Sequence, residues 1–142
     1  MRFEVQKDRV REAAAIKFWG AGHVEYMKLG KWDTDFKITS HTSSKVGYAE
    51  VKGRNRNIDD AFPLPIAARK LVKLDDKRKQ DSEATVAFVI WACLDGIVWC
   101  DLDTLKGVIR IGGRAPRKGS TNDIEVMAYY SANSSPFKTR KF

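Results

Sequence analysis

The stretch Tyr48-Ala49-Glu50-Val51-Lys52-Gly53-Arg54 sets an acid and a lysine two residues apart. In an extended chain, period-2 geometry places Glu50 and Lys52 on one face while Ala49 and Val51 pack into the other. A carboxylate oxygen on such a face suits a hard divalent cation such as magnesium. A neighbouring ammonium can steady a phosphate's developing charge or orient an attacking water. A second carboxylate from an adjoining strand would make a metal site, and Asp35 is the candidate, because its strand leads into the one carrying Glu50. The triplet alone is uninformative. With 18 acids and 15 lysines in 142 residues, about two acid-x-Lys triplets arise by chance, and the chain has three, at Asp35/Lys37, Glu50/Lys52 and Asp75/Lys77. The competing reading is a solvated hairpin face on which Asp35 and Glu50 simply pair with Lys37 and Lys52. What gives the constellation weight is the order of the elements around it.

Those elements begin with a helix from about Glu4 to Trp19, with Val5, Val10, Ala13, Ala14, Ile16 and Phe18 as its apolar face and Gly20 and Gly22 as its stop. From Val24 to Ile38 the pattern is short and alternating. In Trp32-Asp33-Thr34-Asp35-Phe36-Lys37-Ile38 the bulky and charged residues fall on opposite faces of a strand, with Asp33, Asp35 and Lys37 together. A polar turn, Thr39 to Lys45, joins it to a strand from Val46 to Lys52, giving a β-hairpin with acids on both arms. After a basic loop, Gly53 to Asp60, Pro63 and Pro65 suit the start of a helix running to about Lys79, with Ile66, Leu71 and Leu74 as its stripe. Ala84 to Leu94 and Ile97 to Leu102 read as strands joined at Asp95-Gly96, in a register that sets Cys93 opposite Val98 and Cys100 opposite Trp91. From Lys106 onward come β-prone runs at Val108 to Ile111 and Ile124 to Tyr130, a Gly/Arg/Lys loop and a polar tail. The expected architecture is one α/β domain over residues 1–142, a mixed central sheet flanked by helices, in the order helix, strand hairpin, helix, strands.

In this order the sequence resembles the PD-(D/E)XK nuclease superfamily, and more closely its small phage-type members. The resemblance covers most of the chain and implies the restriction-endonuclease-like fold. The helix ending in Phe18-Trp19-Gly20 matches the family helix that carries an acid near its start. Asp8 occupies that place, with Glu4 and Glu12 open as substitutes. Asp35, in Trp32-Asp33-Thr34-Asp35-Phe36, matches the strand aspartate that ligates metal, although Thr34 stands where the family's name-giving proline would be. Glu50 and Lys52 match the Glu-x-Lys pair, and the Val51 backbone carbonyl would complete the metal shell.

The resemblance implies metal-dependent phosphodiester hydrolysis. Asp35, Glu50 and the Val51 carbonyl would hold magnesium, with manganese as a substitute, to polarise the scissile phosphate and generate hydroxide from bound water. Lys52 would position that water or stabilise the transition state, and Asp8 would reach the site through a second metal or through water. The expected enzyme is a magnesium-dependent DNA endonuclease, structure-directed or weakly sequence-specific, in phage or prophage DNA processing. A homodimer is expected. The alternative is a non-catalytic nucleic-acid-binding or assembly protein that keeps the fold.

Charge agrees with a polyanionic partner. The chain has 26 Lys+Arg against 18 Asp+Glu, a formal +8, and cationic surface gains free energy by releasing counterions from nucleic acid. Arg54, Arg56, Lys70 and Lys73, with Arg114, Arg117 and Lys118 in the late loop, are candidate phosphate contacts. An acidic cluster amid that excess would repel DNA unless a divalent metal stood between them, which makes metal a condition of productive binding. The longest apolar run, Ala84 to Leu94, is too short to span a bilayer, so the expectation is a cytoplasmic protein, in the host's cytoplasm if phage-encoded, with no membrane partner. Cys93 and Cys100 have no zinc-ligand spacing and read as reduced core residues. No phosphate-cradling loop precedes a Lys-Ser/Thr, which argues against ATP-driven activity.

Overall fold

A computed structural model describes residues 6–30, 35–43, 45–113 and 124–142, without the side chains of 6–9, 85, 109–113 and 124–125. The first helix, α1, spans Gln6–Gly20 and stops at Ala21 and Gly22, which take φ of 47° and 80°. Gly22 reaches that region without steric cost, whereas Ala21 enters it despite its Cβ. The inward stripe differs from the expected one. Ala15 and Ile16 are buried and Trp19 half-buried, whereas Val10 is 58% exposed and Ala13 and Ala14 face solvent. Helical spacing accounts for this, since residues 12, 15, 16 and 19 share one face. Glu12 therefore heads the stripe that meets the sheet.

The sheet's first strand, β1 (Val24–Lys28), runs antiparallel to β2 (Phe36–Ser40), which runs antiparallel to β3 (Val46–Gly53). The hairpin of β2 and β3 is the predicted one, and β1 is a separate edge strand with Lys28 opposite Phe36. Pro63 and Pro65 do not start the helix. Leu64–Ala67 is a strand, β4, and α2 begins only at Ala68 and ends at Gln80. Ile66 is thus a strand residue, and proline is tolerated there as on other edge strands. β5 (Ala84–Ala92) lies parallel to β3, and β6 (Gly96–Asp101) returns antiparallel to β5. The turn sits one residue earlier than predicted, at Leu94-Asp95, closed by the Cys93 N–H donating to the Gly96 carbonyl at 2.9 Å. The register moves with it, and Cys100 is opposite Val89. Both cysteines are buried and free, as expected.

Of the β-prone end, β7 (Val108–Gly113) and β8 (Ile124–Tyr130) pair with each other, and β8 also pairs with β4 in a small second sheet of order β4-β8-β7. The polar tail is not irregular: β9 (Lys138–Lys141) pairs with β6 and completes a central sheet of order β1-β2-β3-β5-β6-β9. The sheet is mixed, as predicted. Its two faces carry two cores. Ala15 and Ile16 of α1 pack with Phe36, Ile38, Ala49, Val51, Ile90 and Ile97. On the opposite face Leu74 of α2 packs with Tyr48, Val89, Trp91, Leu64 and Tyr130. Full burial of a Val, Leu, Ile or Phe side chain among these stabilises the fold by about 1.5–3 kcal/mol. Trp91 is fully buried and donates its Nε1–H to the Pro65 carbonyl at 2.9 Å, joining the two sheets. Trp19 and Trp99 pack at the margin of the α1-side core, while Trp32 lies outside the described residues. Among the described residues no helix is long and apolar enough to cross a membrane.

Candidate active site

The topology decides which side chains meet. Parallel strands need a crossover, and α2 supplies it between β3 and β5. To return the chain to the start of β5, α2 must run back along the sheet, so its first turn lies beside the end of β3 and its last turn beside the beginning. Contacts at both ends agree. Lys70, in the first turn, has its Nζ 3.4 Å from Glu50 Oε1. Asp81, just past the last, accepts from the Tyr48 hydroxyl at 2.7 Å and lies 3.8 Å from Lys37 Nζ. The start of β2 and the end of β1 fall at the same sheet end as the end of β3, because each strand is antiparallel to its neighbour. Asp35, Glu50 and Lys28 are therefore brought together by pairing rules alone.

Glu50 is 3% exposed, and it is the only charged residue so deeply buried among the described residues. Burial of a carboxylate is costly unless it is paired and hydrogen-bonded. Its Oε2 accepts the Asp35 N–H at 3.2 Å, and its Oε1 faces Lys70. Asp35, on the neighbouring strand, accepts the Val51 N–H on Oδ2 at 2.8 Å, and its Oδ1 lies 3.1 Å from Lys28 Nζ. The two carboxylates are thus interlocked: each is oriented by a backbone N–H from the other's segment. In a strand the N–H and C=O of one residue leave on the same edge. The Val51 carbonyl consequently departs on the edge where Asp35 sits.

Glu12 of α1 is the third acid at this end. Its Oε2 lies 3.6 Å from Lys28 Nζ, so one ammonium spans Glu12 and Asp35. Of the helix acids left open by sequence, Glu12 is the one whose side chain is described, and Lys28 links it to Asp35. Asp8 lies within α1 one turn earlier, but its side chain falls outside the described residues, as does Glu4 altogether. Lys52 is exposed, two residues beyond Glu50 on the same face of β3. Among the described residues no three of the His, Cys, Asp and Glu side chains are close enough together to form a ready metal cage. Two carboxylates and a backbone carbonyl nevertheless suit magnesium, which keeps several waters and commonly takes one or two carboxylates plus substrate phosphate. The hard oxygen donors and the ammonium lodged between two of the acids both fit a cation at this position.

The basic candidates separate. Lys70 belongs to the site through Glu50. Arg54 is engaged elsewhere: its Nε donates to the Ala61 carbonyl at 2.9 Å and its Nη2 to that of Pro63 at 3.3 Å. Burial, and then the neighbouring Arg56, pull the Arg54 guanidinium below its ordinary value. It clamps the loop after β3 with two of the five donors a guanidinium carries. Arg56 is exposed and Lys73 half-buried. Arg114, Arg117 and Lys118, with Asp33, lie outside the described residues. A contact that sequence reading missed ties α1 to the same loop, the Arg11 Nη1–H donating to Asn55 Oδ1 at 2.8 Å. Lys28 was missed too. Its signal was the antiparallel register of β1 on β2, hidden by reading residues 24–38 as one alternating stretch.

A search of curated protein sequences finds no match. Among solved structures the chain is similar to Archaeoglobus fulgidus Hjc, a Holliday junction resolvase from an archaeal hyperthermophile. The TM-score is 0.58 at 15% identity, over 93% of this chain and 88% of that one. At that identity the likeness concerns the fold, a mixed sheet flanked by helices of the restriction-endonuclease-like kind. The sequence matches the family described as "Phage putative PDDEXK endonuclease" over residues 1–139. With the Asp35, Glu50 and Lys52 pattern inside a match of that extent, the chain belongs to this phage PD-(D/E)XK endonuclease family.

Proposed function

We propose that the chain, acting as one domain, is a magnesium-dependent DNA endonuclease whose site is Asp35, Glu50, the Val51 carbonyl and Lys52, with Glu12 as the helix acid. The observation that carries this reading is the interlock of Asp35 and Glu50, two carboxylates on neighbouring chain segments, one accepting the Asp35 N–H and the other the Val51 N–H. Families of this type are generally dependent on a divalent metal, which when bound would polarise the scissile phosphate and lower the pKa of a water. The chain's own part is positional. Asp35 and Glu50 present oxygen ligands whose directions are set before substrate arrives. Lys52, exposed two residues beyond Glu50, would meet a phosphate oxygen or hold the attacking water by hydrogen bonding. Arg56 and Lys73, with Arg114, Arg117 and Lys118 of the late loop, would contact the DNA backbone, which gives affinity without sequence information. Asp8 is kept as a second helix acid, acting through water.

The enzyme is read as weakly sequence-specific or structure-directed, and the likeness to a Holliday junction resolvase makes four-way junctions a substrate to include. The test incubates the protein with supercoiled, linear, single-stranded and four-way-junction DNA, in magnesium, manganese or a chelator, beside Glu50→Ala and Lys52→Ala. Metal-dependent cutting lost in both variants is the expected result. Retention of DNA without cutting of any substrate would leave a binding module in place of an enzyme. Light scattering of the same preparation checks the expected homodimer.

A further inference from the structure

We infer that Lys28 is a resident counter-cation of the site, holding the place between Glu12 and Asp35 and competing with the divalent metal for it. This rests on the metal-site reading above. Lys28 ends the edge strand β1, and pairing with Phe36 sets its backbone beside the segment that carries Asp35. Its Nζ lies 3.1 Å from Asp35 Oδ1, 3.6 Å from Glu12 Oε2 and 5.1 Å from the centre of the Phe36 ring. The side chain is 47% exposed, while those of Glu12 and Asp35 are 19% and 13% exposed.

Two acids on different elements, both largely withdrawn from water, repel each other unless a cation stands between them. One tethered ammonium serves both, from a flexible stem that can swing out to solvent because nearly half of it is already there. A divalent cation bound by Asp35 would repel an ammonium 3.1 Å from that carboxylate, so binding it requires Lys28 to leave. Removal of Lys28 should therefore tighten metal binding, beyond what loss of one positive charge elsewhere does. Once displaced, Lys28 stays tethered at the rim of the site, where an incoming phosphate supplies its next anionic partner.

Calorimetric titration with manganese, without DNA, tests this in wild type, Lys28→Met and Lys28→Gln. The methionine variant keeps the unbranched stem over Phe36 and guards against a packing defect. Lys45→Gln is the charge control, since Lys45 precedes the opposite end of β3, five residues or roughly 16 Å from Glu50 and beyond a Debye length of about 8 Å. Both Lys28 variants are expected to bind manganese roughly threefold to tenfold more tightly, as an exposed ammonium shared by two carboxylates should allow, with Lys45→Gln unchanged. Equal or weaker binding by the Lys28 variants would overturn the inference, as would an equal gain in Lys45→Gln. Absence of any saturable manganese binding in wild type and variants alike would instead overturn the metal-site reading, and the inference with it.

Discussion

Replacing Lys70 by methionine tests whether the buried Glu50 depends on its ammonium. The carboxylate is 3% exposed and Lys70 Nζ stands 3.4 Å from Oε1. At an effective dielectric of about 20, opposite unit charges at that distance attract by about 5 kcal/mol. The lysine side chain is 31% exposed, so water screens part of this, and methionine spares the cost of desolvating an ammonium. A net loss of about 1–3 kcal/mol remains, below the figure for severing a fully buried pair. Urea unfolding of wild type, Lys70→Met, Glu50→Gln and the double variant at pH 8 in chelator closes the cycle. Glutamine keeps an acceptor for the Asp35 N–H, so the cycle isolates the charge pair, with an expected coupling of about 1–2 kcal/mol. Magnesium should return part of the stability of Lys70→Met, because the ion replaces the missing positive charge. A Lys70→Met protein within about 0.5 kcal/mol of wild type, with no coupling to Glu50→Gln, would refute the pairing.

Trp91→Phe removes the Nε1–H bond to the Pro65 carbonyl and part of a fully buried ring, and should lower unfolding free energy by about 1–3 kcal/mol, read by denaturant titration. Tyr48→Phe removes the hydroxyl that holds the Asp81 carboxyl below its ordinary value, ahead of the Glu83 N–H. A depressed folded pKa gives stability that is present above the unfolded value and lost as pH falls through the folded one. The variant should therefore have a lower urea midpoint at pH 7, and the gap should close below about pH 4; a gap independent of pH would place the effect in packing. Burial, then Asp95, pushes the Cys93 thiol up to about 11, and burial also raises Cys100. A thiol-specific chromogenic reagent at pH 8 should find both silent in the native protein and both reactive in denaturant; rapid native labelling would contradict their burial.

The parts of the fold legible in the sequence were those with a local signature. The Gly-rich turn after Trp19 ends α1 close to where it was expected, the β2–β3 hairpin follows from alternation around a polar turn, and strand pairing alone brings Asp35 beside Glu50. Illegible parts depend on partners distant in sequence. Val10, Ala13 and Ala14 read as a core face, yet a helix is apolar on several sides when rich in alanine, and only the sheet selects residues 12, 15, 16 and 19. Pro65 reads as a helix start until β8 is there to pair with Leu64–Ala67. The tail residues Lys138–Lys141 have no apolar pattern, but they lie on the sheet's edge, where charged side chains are favoured. Lys70 and Arg54 look alike as members of a basic run; topology sends one to Glu50 and the other to the carbonyls of its own loop.

The arrangement of charge changes what the acids imply for DNA. A bare acidic cluster would keep DNA away until a metal arrived. Here Glu12 and Asp35 share Lys28, Glu50 faces Lys70, and Lys52 lies exposed on the face of Glu50. Among the described side chains these three carboxylates are matched by three ammoniums, so they set little local opposition against the chain's formal +8. Holding DNA and cutting it should then separate. In chelator at low salt, gel-shift or anisotropy titrations should show binding, with the logarithm of affinity falling linearly as the logarithm of salt rises, while cutting begins only on adding magnesium. Lys28→Gln and Lys70→Met would each return one negative charge to the site, and both should weaken metal-free DNA binding more than Lys45→Gln does. If wild type binds no DNA in chelator at about 50 mM salt but binds once calcium or magnesium is present, the carboxylates are not neutralised by their lysines in solution and the metal is required for binding itself.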